Sequence, residues 1–193
     1  KIEKICNENK IEYRKIKEYN SPRASLVSFI YSMLKILKFI IPIKEKDIIE
    51  SIKNLKQLEN GISSNNLTKS NEALNLAKEI SGIPLIYYPW GLQAAGIRFK
   101  NALQENAKMH AMVEDVVETS HNGIVAWEKK SEVLPILLQG DDDNIKTKER
   151  WQVLKIYFNE NNIEYKEIIS IKGNILSKLI HLIYLLDYTS IYK

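Results

Sequence analysis

Ile83-Pro84-Leu85-Ile86-Tyr87-Tyr88, entered from Gly82 and left through Pro89, is a continuous apolar run of strand length. A strand half exposed to water alternates apolar with polar residues, whereas one covered on both faces stays apolar throughout. Val133-Leu134-Pro135-Ile136-Leu137-Leu138 is a second run of this kind. Between them, residues 91–108 read as a helix and a polar segment continues through His121. After Gly140 and three aspartates, a helix is predicted over 147–159, a strand over 163–168 and a final helix from about Asn174. Strands alternating with helices imply a parallel or mostly parallel sheet with helices on both faces.

Working back toward the N-terminus, Thr68 to Glu72 resembles a helix start, and the turn-rich stretch Asn60-Gly61-Ile62-Ser63-Ser64-Asn65-Asn66 reads as the main internal boundary. A polar helix is predicted over 44–58. Over 22–41 the apolar residues Leu26, Phe29, Ile30, Met33, Leu34, Leu37, Ile40 and Ile41 fall at helical spacing, with Pro22 suited to the first turn and Pro42 closing the run. That helix is apolar enough to be sandwiched between layers. Residues 11–16 have the period-2 pattern of a short strand, and residues 2–9 have helical spacing. There is an internal echo: Asn7-Glu8-Asn9-Lys10-Ile11-Glu12-Tyr13-Arg14-Lys15 resembles Asn159-Glu160-Asn161-Asn162-Ile163-Glu164-Tyr165-Lys166-Glu167. Chance in an Ile/Asn/Lys-rich chain is one reading. The other is two related α/β units, the first only half present.

The 193 residues are 45% hydrophobic and 27% charged, an ordinary globular composition. Net charge is +4, with lysine interleaved among acidic residues, so no basic stripe points to nucleic acid. The single Cys6 allows no internal disulfide or cysteine-based zinc site and fits a reducing cytoplasm. Lys178, His181 and Asp187 interrupt the apolar run 175–192, and Lys35 and Lys38 interrupt 25–43, so both read as buried helices rather than membrane spans. A chain that starts at Lys1 and stops directly after an apolar helix reads as a partial one.

The common nucleotide, zinc and hydrolase motifs are missing. His110, His121 and His181 have no metal-ligand spacing; His110 and His181 read as structural. His121 differs, because Glu118-Thr119-Ser120-His121-Asn122-Gly123 is a polar loop ahead of an apolar segment, where α/β folds place working side chains. Gln104-Glu105-Asn106-Ala107-Lys108 would alone be a solvated helix end. A carboxylate in one such segment and an imidazole in another nevertheless suit proton transfer.

Arg98-Phe99-Lys100 through Glu105-Asn106-Ala107-Lys108, followed by Glu118-Thr119-Ser120-His121-Asn122, resembles the signature of the bifunctional phosphoglucose/phosphomannose isomerases, which are built from two sugar isomerase (SIS) domains. Ser21-Pro22-Arg23-Ala24-Ser25-Leu26 is similar to that family's PRAxLG stretch, and Asp187-Tyr188-Thr189-Ser190-Ile191-Tyr192 to its D-[YW]-x-S-x-Y motif. The chain departs from the pattern at Gly123, where Glu is common, and at Leu186, where Gly is frequent.

The resemblance implies a three-layer αβα, flavodoxin-like SIS domain with a mostly parallel sheet over 61–193. Residues 1–60 would be the end of a first SIS domain with its connecting helices. It also implies interconversion of glucose 6-phosphate and mannose 6-phosphate with fructose 6-phosphate through a cis-enediol, with neither metal nor cofactor. Glu105 would move the proton between C1 and C2, and His121 would open the sugar ring from the neighbouring subunit of a homodimer. Arg23 would steady the enediolate, Thr189 would lie near C2, and Lys193 is the candidate catalytic lysine. The phosphate-cradling loops would precede Lys1, Ser63-Ser64 being a poor substitute. A sugar-phosphate-binding regulatory module without turnover is the alternative, and a subunit supplying half of a composite site is a third reading.

Overall fold

The structure, a computed structural model, describes every residue except Glu18, Asn20 and Pro22, together with the backbone but not the side chain of Arg23. The chain forms two compact units, Lys1–Lys44 and Glu45–Lys193.

The second unit is a four-stranded, wholly parallel sheet of order β2-β1-β3-β4, made from β1 (Ile83–Tyr88), β2 (Met112–Asp115), β3 (Val133–Gln139) and β4 (Lys166–Ile169). The two apolar runs are the central strands, as expected: Ile86, Tyr87, Ile136, Leu137 and Leu138 are wholly buried. Tyr87 and Leu137 pack in one cluster with Val116, Trp151, Leu154 and Phe158, the last three from α7 (Ile145–Glu160). Strand alternation then points Ile86, Ile136 and Leu138 to the opposite face. That side is built from α3 (Glu45–Ile62), α4 (Glu72–Glu79), α5 (Gln93–Ala102) and α8 (Ile175–Tyr192), with α8 packed against each of the other three. The result is the three-layer α/β arrangement. Helix α8 buries ten residues, among them Leu182, Leu185 and Leu186, so its apolar sequence is answered by its central position. Among the described residues, no helix is long and apolar enough to cross a membrane.

Local chemistry explains the starts of these elements. The Asn71 side chain accepts from the Leu74 N–H, and Asn174 accepts from Ser177, each satisfying an orphan amide of a first turn. Asn71 also donates to the carbonyls of Ile62 and Asn66, tying α4 to the end of α3. Gly82 has φ +56°, and a Cβ there would stand 2.0 Å from the Glu132 carbonyl oxygen that receives the Ile83 N–H. Only glycine enters β1 by this route.

Several boundaries differ from the sequence reading. Helix α3 continues through Asn60, Gly61 and Ile62, and the compact units divide after Lys44 rather than at the turn-rich stretch. Strand β4 starts at Lys166, three residues later than predicted, because the Ile163 N–H is used in capping α7 through the Phe158 carbonyl. The strand expected just after Lys108, around Met109 and His110, forms as β2 from Met112, so His110 precedes it.

In the first unit, α1 (Ile2–Glu8) follows the expected helix. Residues 11–16 form no strand, since backbone of strand pattern stays unpaired without a neighbour. Helix α2 (Leu26–Ile36), preceded by the 3-10 turn Arg23–Ser25, ends five residues early and buries none of its residues, with Phe39 89% exposed beyond it. Within this chain, then, α2 is not covered as a sandwiched helix would be. Pro22 lies outside the described residues.

The sequence echo is also a structural one. Lys10 (φ 55°) and Asn162 (φ 54°) are both left-handed, and each ends a helix by the same pair of bonds. Ile11 N–H reaches the Cys6 carbonyl and Ile163 N–H the Phe158 carbonyl, both at 2.8 Å, while Lys10 and Asn162 bond to Asn7 and Asn159 at 3.3 Å. This is the Schellman arrangement. The preceding Asn9 and Asn161 side chains each donate to the carbonyl four residues back.

Candidate functional site

Helix α5 leaves the carboxyl end of β1 and runs back along the sheet to feed β2. Its buried face, Ala95, Gly96, Phe99 and Ala102, lets it approach closely: a Cβ on Gly96 would lie 3.2 Å from both Tyr88 and Val113. The helix then widens into a π-turn, Leu103–Ala107, closed by left-handed Lys108 at φ 58°. Such turns insert an extra residue per turn and redirect side chains, which is why they recur at functional sites. Glu105 sits in this turn and is exposed on the isolated chain. The Lys108 ammonium donates to the Glu105 carbonyl oxygen at 2.7 Å.

The last turns of α8 arrive at the same place. Arg98 Nε and Nη2 donate to the two carboxylate oxygens of Asp187, each at 2.9 Å, with both side chains 22% exposed. That bidentate pairing raises the Arg98 pKa, with a further push from the nearby Glu105 charge and against the effect of burial. Asn106 Nδ2 donates to Ser190 Oγ at 2.8 Å, and Ser190 Oγ donates to the Asp187 carbonyl at 2.7 Å. Two motifs some eighty residues apart in sequence thus converge on one carboxylate-bearing turn.

The expected imidazole belongs to another segment. Glu105 precedes the amino end of β2 and His121 follows its carboxyl end, beyond the short helix α6 (Val116–Thr119). The four-residue strand between them spans about 10 Å at roughly 3.3 Å per residue. His121 is exposed, and its N–H bonds to the Glu118 carbonyl. In chain order the acid and the imidazole flank β2 rather than sharing one element. Thr189 is fully buried, its hydroxyl donating to the Leu185 carbonyl. Lys193 is exposed one turn beyond, and the Arg23 side chain lies outside the described residues. His181 is a buried helix histidine whose Nδ1 has no partner among the described residues.

Arg98, Asn106, Asp187 and Ser190 carried no individual role in the sequence reading. One signal was available: Asp187 is the lone acid in an apolar helical run, and a half-buried carboxylate there demands a cation across the packing.

The unit is thus a parallel three-layer α/β domain with a carboxylate on a π-turn at a helix interface. The family described as the bacterial phospho-glucose isomerase C-terminal SIS domain matches residues 69–193, and the chain belongs to it. The chain is 28% identical over 179 residues to a bifunctional phosphoglucose/phosphomannose isomerase of Caldicellulosiruptor bescii, covering 89% of this chain and 53% of that protein. It therefore spans about half the length of the curated relative it matches. Among solved structures, a glucose-6-phosphate isomerase-like protein from Thermus thermophilus aligns with TM-score 0.62 at 15% identity, over 77% of this chain and 51% of that one. The C-terminal domain of glucosamine-fructose-6-phosphate aminotransferase from Francisella tularensis aligns at 0.55 and 14% identity, over 93% and 54%. These structural likenesses speak for the fold.

Proposed function

We propose that the chain is the C-terminal portion of an aldose/ketose isomerase that interconverts glucose 6-phosphate and mannose 6-phosphate with fructose 6-phosphate through a cis-enediol. The observation that carries this reading is the convergence of the family-signature residues Arg98, Glu105, Asn106, Asp187 and Ser190 on one π-turn. Moving one proton between adjacent carbons needs a single base held near both, and a carboxylate on a fixed turn meets that need. Glu105 is that base. His121 opens the sugar ring, and because it lies at the opposite end of β2, the imidazole at a given Glu105 comes from the partner subunit's His121. A second subunit also desolvates Glu105, which its own chain leaves exposed. The substrate-facing roles of Arg23 and Lys193 belong to the same reading, as does the place of Thr189 near C2, from a side chain that is buried in this chain.

Residues 1–60 are, in this proposal, the end of a preceding SIS domain with its connecting helices. The support is the repeated Schellman turn: α1 and the segment after it repeat the passage from α7 toward β4 at an offset of 152 residues, the difference between Asn162 and Lys10.

The test is an isomerase assay of the complete polypeptide with each hexose 6-phosphate, beside Glu105→Gln and His121→Ala. Losing the general base should lower kcat by about 10²-fold or more. Full activity in Glu105→Gln would overturn the mechanism. Binding of hexose 6-phosphate without turnover by the wild type would instead favour a regulatory module, a reading to which the exposure of Glu105 in the single chain lends some weight.

A further inference from the structure

Glu105 lies on a π-turn only five residues long, which ends on a non-glycine residue in the left-handed region and is closed by the Met109 N–H on the Leu103 carbonyl. Two side-chain anchors beside it come from α8. On one side Asn106, the next residue, is held by Ser190 Oγ; on the other Arg98, two helical turns earlier, is held by both oxygens of Asp187. Ser190 in turn bonds to the Asp187 backbone, so the two anchors form one connected network across the helix pair. Helix α8 is itself a rigid platform, buried along most of its length and packed on α3, α4 and α5.

We infer that Asp187 and Ser190 are positioning residues that lock the Glu105 turn onto α8 through Arg98 and Asn106, setting the direction of the carboxylate without touching the sugar. The inference rests on the isomerase reading and adds to it the reason the terminal motif is needed at all. A carboxylate displaced by about 1 Å loses much of its rate while the substrate still binds through other contacts.

The test compares Asp187→Asn, Asp187→Glu, Ser190→Ala and Glu105→Gln in the complete polypeptide, with amide hydrogen exchange over 103–108 measured alongside steady-state kinetics. Asp187→Asn and Ser190→Ala should each lower kcat by about tenfold or more with KM changed less than about threefold, and should speed exchange in the turn. Asp187→Glu, which keeps a carboxylate for Arg98, should recover part of the lost kcat. Unchanged exchange in the turn, or equal losses in kcat for Asp187→Asn and Asp187→Glu, would overturn the inference. An active wild type and inactive Glu105→Gln beside fully active clamp variants would overturn it alone. A Glu105→Gln variant as active as wild type would sink the isomerase mechanism first.

Discussion

Asp187 shows how a single residue is read twice. Within the sequence it interrupts an apolar helix and argues against a membrane span; in the fold it is the carboxylate that receives both arms of the Arg98 guanidinium. Its role depends on where α5 lies, which no local pattern states. His181, by contrast, reads from its apolar setting as structural, and it is buried in α8. Burial lowers its pKa below the ordinary value near 6.5, so the folded chain keeps it neutral where the unfolded chain takes up a proton. The unfolded state therefore binds more protons as the pH falls below about 6.5, and stability declines from there down to the folded-state pKa. Urea midpoints measured between pH 7.5 and 5 should show this fall, and His181→Leu should flatten it. An unchanged slope in the variant would mean that other groups carry the acid sensitivity.

Elements were legible where a strand is buried on both faces or a helix has a clear cap. The central strands β1 and β3 could be read directly because full burial leaves an unbroken apolar run. Edge strand β2, Met-Val-Glu-Asp, was expected a few residues too early, around Met109 and His110, since half of its residues are acidic and its pairing with β1 sets where it starts. The π-turn was invisible for a similar reason: Leu-Gln-Glu-Asn-Ala suits an ordinary α-helix, and the extra residue is accommodated by contacts with α8. Two substitutions test the element boundaries. Asn71→Ala removes a helix cap and two buried donor bonds and should destabilise the chain by about 2 kcal/mol in denaturant titrations. Gly82→Ala should cost more than about 2 kcal/mol, combining left-handed strain with the collision against the Glu132 carbonyl; a near-neutral result would show that the turn can reopen.

At the scale of the molecule, the two compact units differ in how well they satisfy their own apolar residues. Unit Glu45–Lys193 encloses a sheet between helices, whereas α2 in Lys1–Lys44 has no buried residue. Limited proteolysis of this chain should accordingly cut within 1–44 first and leave Glu45–Lys193 protected; equal protection of both would contradict that order. For the proposed site shared between subunits, mixing Glu105→Gln and His121→Ala proteins should restore activity to about a quarter of wild type, because half of randomly formed dimers are mixed and each holds one intact site. No recovery would place both residues in the same chain's site. What the sequence by itself determined is the parallel α/β class, the two doubly buried strands and the central apolar helix, since each of these leaves a local pattern of burial. Only the tertiary structure decided that residues 11–16 form no strand, that the helix after Ala102 widens into a π-turn, and that Asp187 reaches Arg98. Those outcomes depend on which distant surface supplies a partner, and hydrogen bonds, ion pairs and burial are properties of pairs rather than of either residue alone.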